Sequence, residues 1–246
     1  MYSVDSEFHP RQGCRGFSLV EMLVVIAIMS ILVTAGAIGL GSVGGKGVTS
    51  GVATAESLFD EARSTAVARN MRACVLVAKT LTNNSGDDLR RILVAYEETD
   101  ATTGLAKSPN NIAPKWELSS RGTVLPDQVF FSMKFSKKVH ETGSGSVDTI
   151  KSDMLVGTVK PAFAGEYYIY QFNSQGICLS PGTSFIIGTG SRPLQKTSTA
   201  APPRVNSNSK RDFGGFVVWR NGRTSLFRSP DQMGSGISTL AAGNDF

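Results

Sequence analysis

The sequence predicts an α+β protein. A long N-terminal α-helix, membrane-spanning in its first half and amphipathic in its second, leads into an antiparallel β-sandwich-like head. Three observations predict this. Residues 17–40 hold nearly all of the continuous apolar sequence. Residues 53–72 repeat apolar side chains at helical spacing. From residue 73 onward, short apolar runs alternate with Gly-, Ser- and Asn-rich turns, the pattern of strands.

The first element, Phe17–Leu40, reads FSLVEMLVVIAIMSILVTAGAIGL, and its only charge is Glu21. A helix of about 24 residues is about 36 Å long, enough to cross a bilayer core. A cleaved secretory signal could end at Ala35-Gly36-Ala37, but an acid just inside its core is wrong for that class, and Arg11 and Arg15 make a thin basic flank. A plain transmembrane anchor also accommodates Glu21 poorly, because a carboxylate facing lipid is costly without a partner.

The stretch Arg15-Gly16-Phe17-Ser18-Leu19-Val20-Glu21 resembles the prepilin processing site of type IV pilins and type II secretion pseudopilins. The resemblance implies that a prepilin peptidase cuts after Gly16 and N-methylates Phe17, making Glu21 the fifth mature residue. It further implies a cytoplasmic leader over residues 1–16, a transmembrane and assembly helix over 17–40, and a single-pass protein of the bacterial inner membrane with a periplasmic head. From there the chain would pass into a periplasmic or surface filament. The implied partners are prepilin peptidase, other pilin or pseudopilin subunits, and inner-membrane lipid. Once Phe17 is the N-terminus, its ammonium and the Glu21 carboxylate of a neighbouring subunit can pair, offsetting the burial cost of both charges. Two features depart from the family pattern. No Pro lies between residues 17 and 108, leaving Gly36, Gly39 and Gly41 to loosen the helix, and the leader balances Asp5 and Glu7 against Arg11 and Arg15.

Residues 41–72 read as a Gly-rich joint followed by an amphipathic helix. Gly41–Gly51 is not a phosphate loop: three residues, not four, separate Gly41 from Gly45-Lys46, and Gly47 stands where a Ser or Thr would hold a metal. From Val52, the stripe Val52, Ala55, Phe59, Ala62, Ala66, Arg69, widened by Leu58, keeps helical spacing. The pattern Ala62-Arg63, Ala66, Arg69-Asn70 before a strand resembles minor pseudopilins of the H type and fimbrial T-type minor pilins.

Residues 73–246 are expected to form the β-rich head. Strands are expected at 73–79, 91–97, 116–119, 129–135, 166–172, 184–188, 216–220 and 224–228. Arg220-Asn221-Gly222-Arg223 reads as a two-residue hairpin turn, because Asn-Gly tolerates positive φ. Phe172, Gly176, Gly222 and Arg223 again resemble the H-type head. Trp116–Pro126 is similar to heads of multi-copy pseudopilin-like proteins of Verrucomicrobia. Loops are expected at 80–88, 142–147 and 196–212, the last a mobile Pro/Ser/Asn-rich one.

Nothing in the head spells catalysis. HExxH, paired CxxC, Gly-x-Ser-x-Gly and Rossmann glycine patterns are all missing, so the expectation is a non-enzyme with no cofactor and no metal. His140 reads as a solvated loop residue, and Asp87-Asp88 lacks the oxygen ligands a calcium site needs. After loss of the leader with Cys14, Cys74 and Cys178 remain, as a bridge in an oxidising compartment or as two buried free thiols. The chain's net charge is +5, and between Arg192 and Arg228 basic residues far outnumber the single acid, Asp212. That excess suits a polyanion such as nucleic acid or, more simply, a solvated face. The expected function is a processed minor pseudopilin or pilin subunit of a type II secretion or type IV pilus-like filament. The alternative is a membrane-anchored binding or sensor domain that never polymerises.

Overall fold

The computed structural model describes residues 18–40, 43–83, 85–107, 114–156, 161–192, 202–205, 212–237, 239–241 and 243–245. The chain divides into two compact units, Met1–Val43 and Gly44–Phe246.

The first unit contains helix α1 (Leu19–Leu40). Ser18 starts it as an N-cap: its Oγ accepts the Val20 N–H at 3.3 Å and its carbonyl accepts the Met22 N–H at 3.2 Å. The one other hydroxyl in the early turns, Ser30 Oγ, donates to the Ile26 carbonyl at 2.7 Å. A polar group is thereby satisfied inside the helix, as an apolar setting requires. Side chains of α1 are described from Leu19 to Ser30, and among the described residues no helix is long and apolar enough to cross a membrane.

Helix α2 (Val43–Arg69) lies, but for its first residue, in the second unit. The joint expected over residues 41–51 is, from Val43, already helical. Its glycines serve close packing instead. A Cβ on Gly51 would stand 2.8 Å from Ile187 Cδ1, and one on Gly47 3.3 Å from Val129 Cγ2. The glycines let the helix approach the strands behind it, at a helix-propensity cost of about 1 kcal/mol each. Val48, Val52, Ala55, Leu58, Phe59, Ala62 and Ala66 are buried, so the apolar stripe begins a turn earlier than the sequence suggested. Arg69, assigned to that stripe, is exposed. The helix ends in a Schellman motif: Met71 N–H reaches the Ala66 carbonyl, Asn70 N–H reaches that of Val67, and Asn70 is left-handed at φ 50°.

The described strands are β1 (Ala73–Leu81), β2 (Arg91–Glu97), β3 (Trp116–Leu118), β4 (Thr123–Val124), β5 (Val129–Phe131), β6 (Lys137–Val139), β7 (Ser144–Ser146), β8 (Thr149–Lys151), β9 (Gly165–Phe172), β10 (Thr183–Thr189), β11 (Phe213–Val218) and β12 (Thr224–Leu226). One sheet runs β3-β2-β1-β9-β8, with β4 also on β2, and a second runs β12-β11-β10-β5. β6 and β7 form a separate hairpin, and all these pairings are antiparallel. The α+β class with antiparallel sheets stands. Strand β5 stops short of the expected 129–135, because Ser132 takes over the backbone: its Oγ accepts the Phe135 N–H and its carbonyl the Ser136 N–H. Strands β4, β6, β7 and β8 had no apolar pattern to announce them. The last expected hairpin is present, but with a three-residue loop: Gly222 N–H returns to the Trp219 carbonyl, Trp219 N–H donates to the Arg223 carbonyl, and only Gly222 is left-handed.

Phe59 of α2 is the hub of the main core. Its ring meets Tyr170 at 5.0 Å and Phe172 at 6.3 Å on the first sheet, and Phe216 at 5.0 Å and Phe185 at 5.6 Å on the second. The sheets also touch directly, Phe131 against Tyr168 at 5.1 Å. The opposite face of the first sheet is not bare. Cys74, Leu76, Leu93, Tyr167 and Ile169 form a second buried cluster there with Trp116 and Leu155, so that sheet is covered on both sides.

Candidate functional site

Gly16 and Phe17, the expected cleavage and methylation positions, lie outside the described residues. Glu21 is exposed in the first turn of α1, where a carboxylate is favoured by the unpaired N–H groups of the helix start. The apolar side chains around it are equally uncovered: from Leu19 to Met29 all are exposed, ranging from 44% at Val25 to 81% at Leu19. Eleven successive positions at about 100° per residue point in every direction. A helix apolar all round is stable only when buried in lipid or among other helices. The described part of α1 thus presents apolar side chains on all faces and a single acid, Glu21, in its first turn.

The head places the other motif residues together at the C-terminal end of α2. Ala62 and Ala66 are wholly buried. Arg63 lies in the corner made by Gly176 and Gly222: a Cβ on Gly222 would meet Arg63 Cδ at 2.8 Å and the Gly176 carbonyl at 2.4 Å, and one on Gly176 would meet Arg63 Cγ at 3.2 Å. Both glycines are left-handed, with φ of 72° and 73°. Arg69 covers the Tyr96 ring at 3.9 Å, Asn70 supplies the left-handed cap, and Phe172 packs on Phe59. Arg223 does not join this corner; it is exposed in the terminal hairpin. Just past the cap, Arg72 makes a bidentate pair with the buried Glu97, at 2.6 and 3.0 Å, tying the end of α2 to β2. These residues fix how the helix joins the sheets; they do not form a chemical site.

Cys74 and Cys178 are free and buried, so the Cys74–Cys178 bridge is not formed. They belong to the two different cores separated by the first sheet. Burial pushes the Cys178 thiol up to about 11 and that of Cys74 well above its ordinary value, leaving both unreactive. Asp88 is buried with its Oδ1 accepting the Leu81 N–H at 2.6 Å, and its neighbour Asp87 is held by Arg91. Among the described residues no group of His, Cys, Asp and Glu could hold a metal.

Two of the described basic residues of the 192–228 stretch are engaged within the head. Arg192 is engaged with the Asp88 carbonyl at 2.8 Å and with the Phe130 ring at 5.0 Å. Arg204 pairs with Asp245 at 3.3 Å. Lys196, Lys210 and Arg211 lie outside the described residues, as does most of the loop expected at 196–212.

His140 is where sequence reasoning missed most. It is half-buried in a turn and held in place: its Nε2–H donates to the Gln232 carbonyl at 2.6 Å and its ring lies 4.7 Å from Phe227. It stands at the rim of a groove of about 840 Å³ on the head, beside Trp219 and Leu226.

Residues 11–37 match the family described as the prokaryotic N-terminal methylation motif. The chain therefore has a type IV pilin- or pseudopilin-like N-terminus, of the kind a prepilin peptidase processes and structural subunits carry. No curated protein and no solved structure matches the chain.

Proposed function

We propose that the chain is a minor pseudopilin or pilin of a type II secretion or type IV pilus-like filament. One conjunction supports this above all. The methylation motif over residues 11–37 leads into a helix whose apolar side chains are exposed on every side, with a single acid in its first turn. Before assembly, residues 17–40 lie in the inner membrane, with Met1–Gly16 cytoplasmic and the head periplasmic. Cleavage after Gly16 frees the Phe17 amine, which is methylated. Glu21 then pairs with the Phe17 ammonium of a neighbouring subunit, setting register, while helix packing replaces lipid around α1.

The mass and N-terminal sequence of the protein purified from membranes test the first step. The expected product begins at Phe17 and is one methyl group heavier than the bare chain. An intact Met1, or a cut near Ala37, would sink the proposal. Glu21→Ala tests the second: membrane insertion is retained while recovery in sheared filaments, or crosslinking to neighbouring subunits, is lost. Absence of the parent protein from filaments, with function unaffected by Glu21→Ala, would favour the non-polymerising anchored domain instead.

A further inference from the structure

Two concave spaces adjoin on the side of the second sheet turned away from Phe59. Along β11 and its continuation, Phe216 and Val218 point into the core, so Val217 and Trp219 point outward. The larger space, about 840 Å³, is lined by these two with Val139, Leu226, Phe227 and Arg220. The smaller, about 300 Å³, is lined by Lys134, Phe135, Lys137, Gly143 and Ser235. His140 borders both.

The lining is held in place before any ligand arrives. His140 is fixed on three sides, by Gln232, by Phe227 and through its own N–H to the Gly182 carbonyl at 2.9 Å. Trp219 is fixed by its Nε1–H, which donates to Ser225 Oγ at 2.7 Å. Yet the apolar surfaces it presents remain in water: Trp219 is 49% exposed, Leu226 53% and Val139 42%. Water-exposed but immobilised aromatic and aliphatic side chains, clustered in one concavity, are the usual makings of a binding groove.

Charge identifies the occupant. Lys134, Lys137 and Arg220 have no ion pair among the described residues, whereas the neighbouring Lys138 is taken up by Asp148 at 2.7 Å. Among the described residues, the one carboxylate lining either space is Glu141. An apolar trough thus continues into a cationic cradle, and the two together exceed the space a single drug-sized ligand fills. We propose that this groove binds an acidic peptide segment. A bulky apolar side chain of the peptide rests against Trp219, Leu226 and Phe227, and its neighbouring carboxylates reach Lys134 and Lys137. The inference stands on the head alone and survives whether or not α1 polymerises.

The chain has two tryptophans. Trp116 is buried and Trp219 is half exposed, so acrylamide quenching of the full chain in a neutral detergent reports on Trp219. The probe is the acetylated tetrapeptide Asp-Asp-Leu-Phe, compared with Lys-Lys-Leu-Phe-amide. The acidic peptide is expected to shield Trp219 and to bind at least about tenfold more tightly than its basic counterpart. In Lys134→Glu/Lys137→Glu the preference should reverse, an outcome that an unfolded variant could not give. Trp219→Phe should abolish the shielding signal. Equal shielding by both peptides, or none by either, would overturn the proposal. So would shielding by hydrocinnamate alone as strong as that by the acidic peptide, since the site would then be one for small amphiphilic acids.

Discussion

Helices α1 and α2 differ in where their burial comes from. Helix α2 has one apolar stripe, and the head covers it: Phe59 alone touches both sheets. Helix α1 has no stripe because it is apolar on all sides, and its side chains from Leu19 to Met29 are exposed. The difference is that one helix is covered by its own chain, while the described apolar side chains of the other are left uncovered. Stability measurements should therefore respond to α2 and ignore α1, and assembly measurements should do the reverse.

The largest expected effect follows from the hub. Phe59→Ala opens a cavity between two sheets and should destabilise the head by about 3–5 kcal/mol. Leu23→Ala in α1 should leave the urea midpoint of the head unchanged within error. Both are read by the same denaturation of the full chain in detergent, followed by near-ultraviolet circular dichroism. A comparable loss from Leu23→Ala would break the contrast, since α1 would then contribute to the folded head.

Next comes the exit from α2. Glu97 is 3% exposed and its carboxylate meets the Arg72 guanidinium at two points. Arg72→Met leaves that charge buried without a partner and should cost about 3 kcal/mol. Arg72→Met/Glu97→Gln should recover much of the loss, because the stranded charge is gone. No recovery would mean that the guanidinium contributes through packing rather than pairing.

Ionisable groups repeat the contrast between the two regions. Helix α1 carries its carboxylate, Glu21, on an exposed position, while the head buries Asp88. Burial pushes the Asp88 carboxyl up to about 6; Asp87 adds to the rise, and the Leu81 N–H and Arg192 oppose it. A carboxyl raised above its unfolded value makes the folded state bind the extra proton between those two values. The penalty of burying the charge is present above about pH 6 and fades as pH falls toward 4. Asp88→Asn keeps the acceptor for Leu81 and removes the charge. It should be more stable than the parent at pH 7.5 by on the order of 1 kcal/mol, with the difference shrinking at pH 4.5. A difference that does not vary with pH would show that Asp88 does not titrate in this window.

The elements legible in the sequence were those with a strong period or a long apolar run. Residues 17–40 announced a continuous apolar helix, the stripe from Val52 to Ala66 announced α2, and β1, β2, β9 and β10 were apolar enough to be placed within a residue or two. Strands β6, β7 and β8 are three residues each, mostly Lys, Ser, Gly and Thr with one apolar side chain apiece in β6 and β8, pair only with one another or at a sheet edge, and bury little, so no hydrophobic pattern marks them. The groove was illegible for a different reason. Its walls come from residues 139–141, 181–182, 217, 219–220, 225–227 and 232, short pieces brought together by strand pairing and by the contacts of His140 and Trp219.

Asn70 shows the same limit at a single residue and gives the smallest expected effect. The sequence marks Arg69-Asn70 as part of a recurring pattern but gives no cause for the Asn. The structure supplies one: the chain must turn left-handed at φ 50° so that Met71 N–H can close on the Ala66 carbonyl and β1 can start at Ala73. Asn reaches that conformation at less cost than most side chains, and Gly at none. Asn70→Ala should therefore cost about 1 kcal/mol in the urea denaturation of the head, while Asn70→Gly should cost nothing or stabilise slightly. Equal losses from both would place the contribution of Asn70 in its side chain rather than its backbone. Either way, assembly through α1 should be untouched, because the Schellman turn governs how α2 enters the sheet and has no counterpart in the helix that seeks its partners outside the chain.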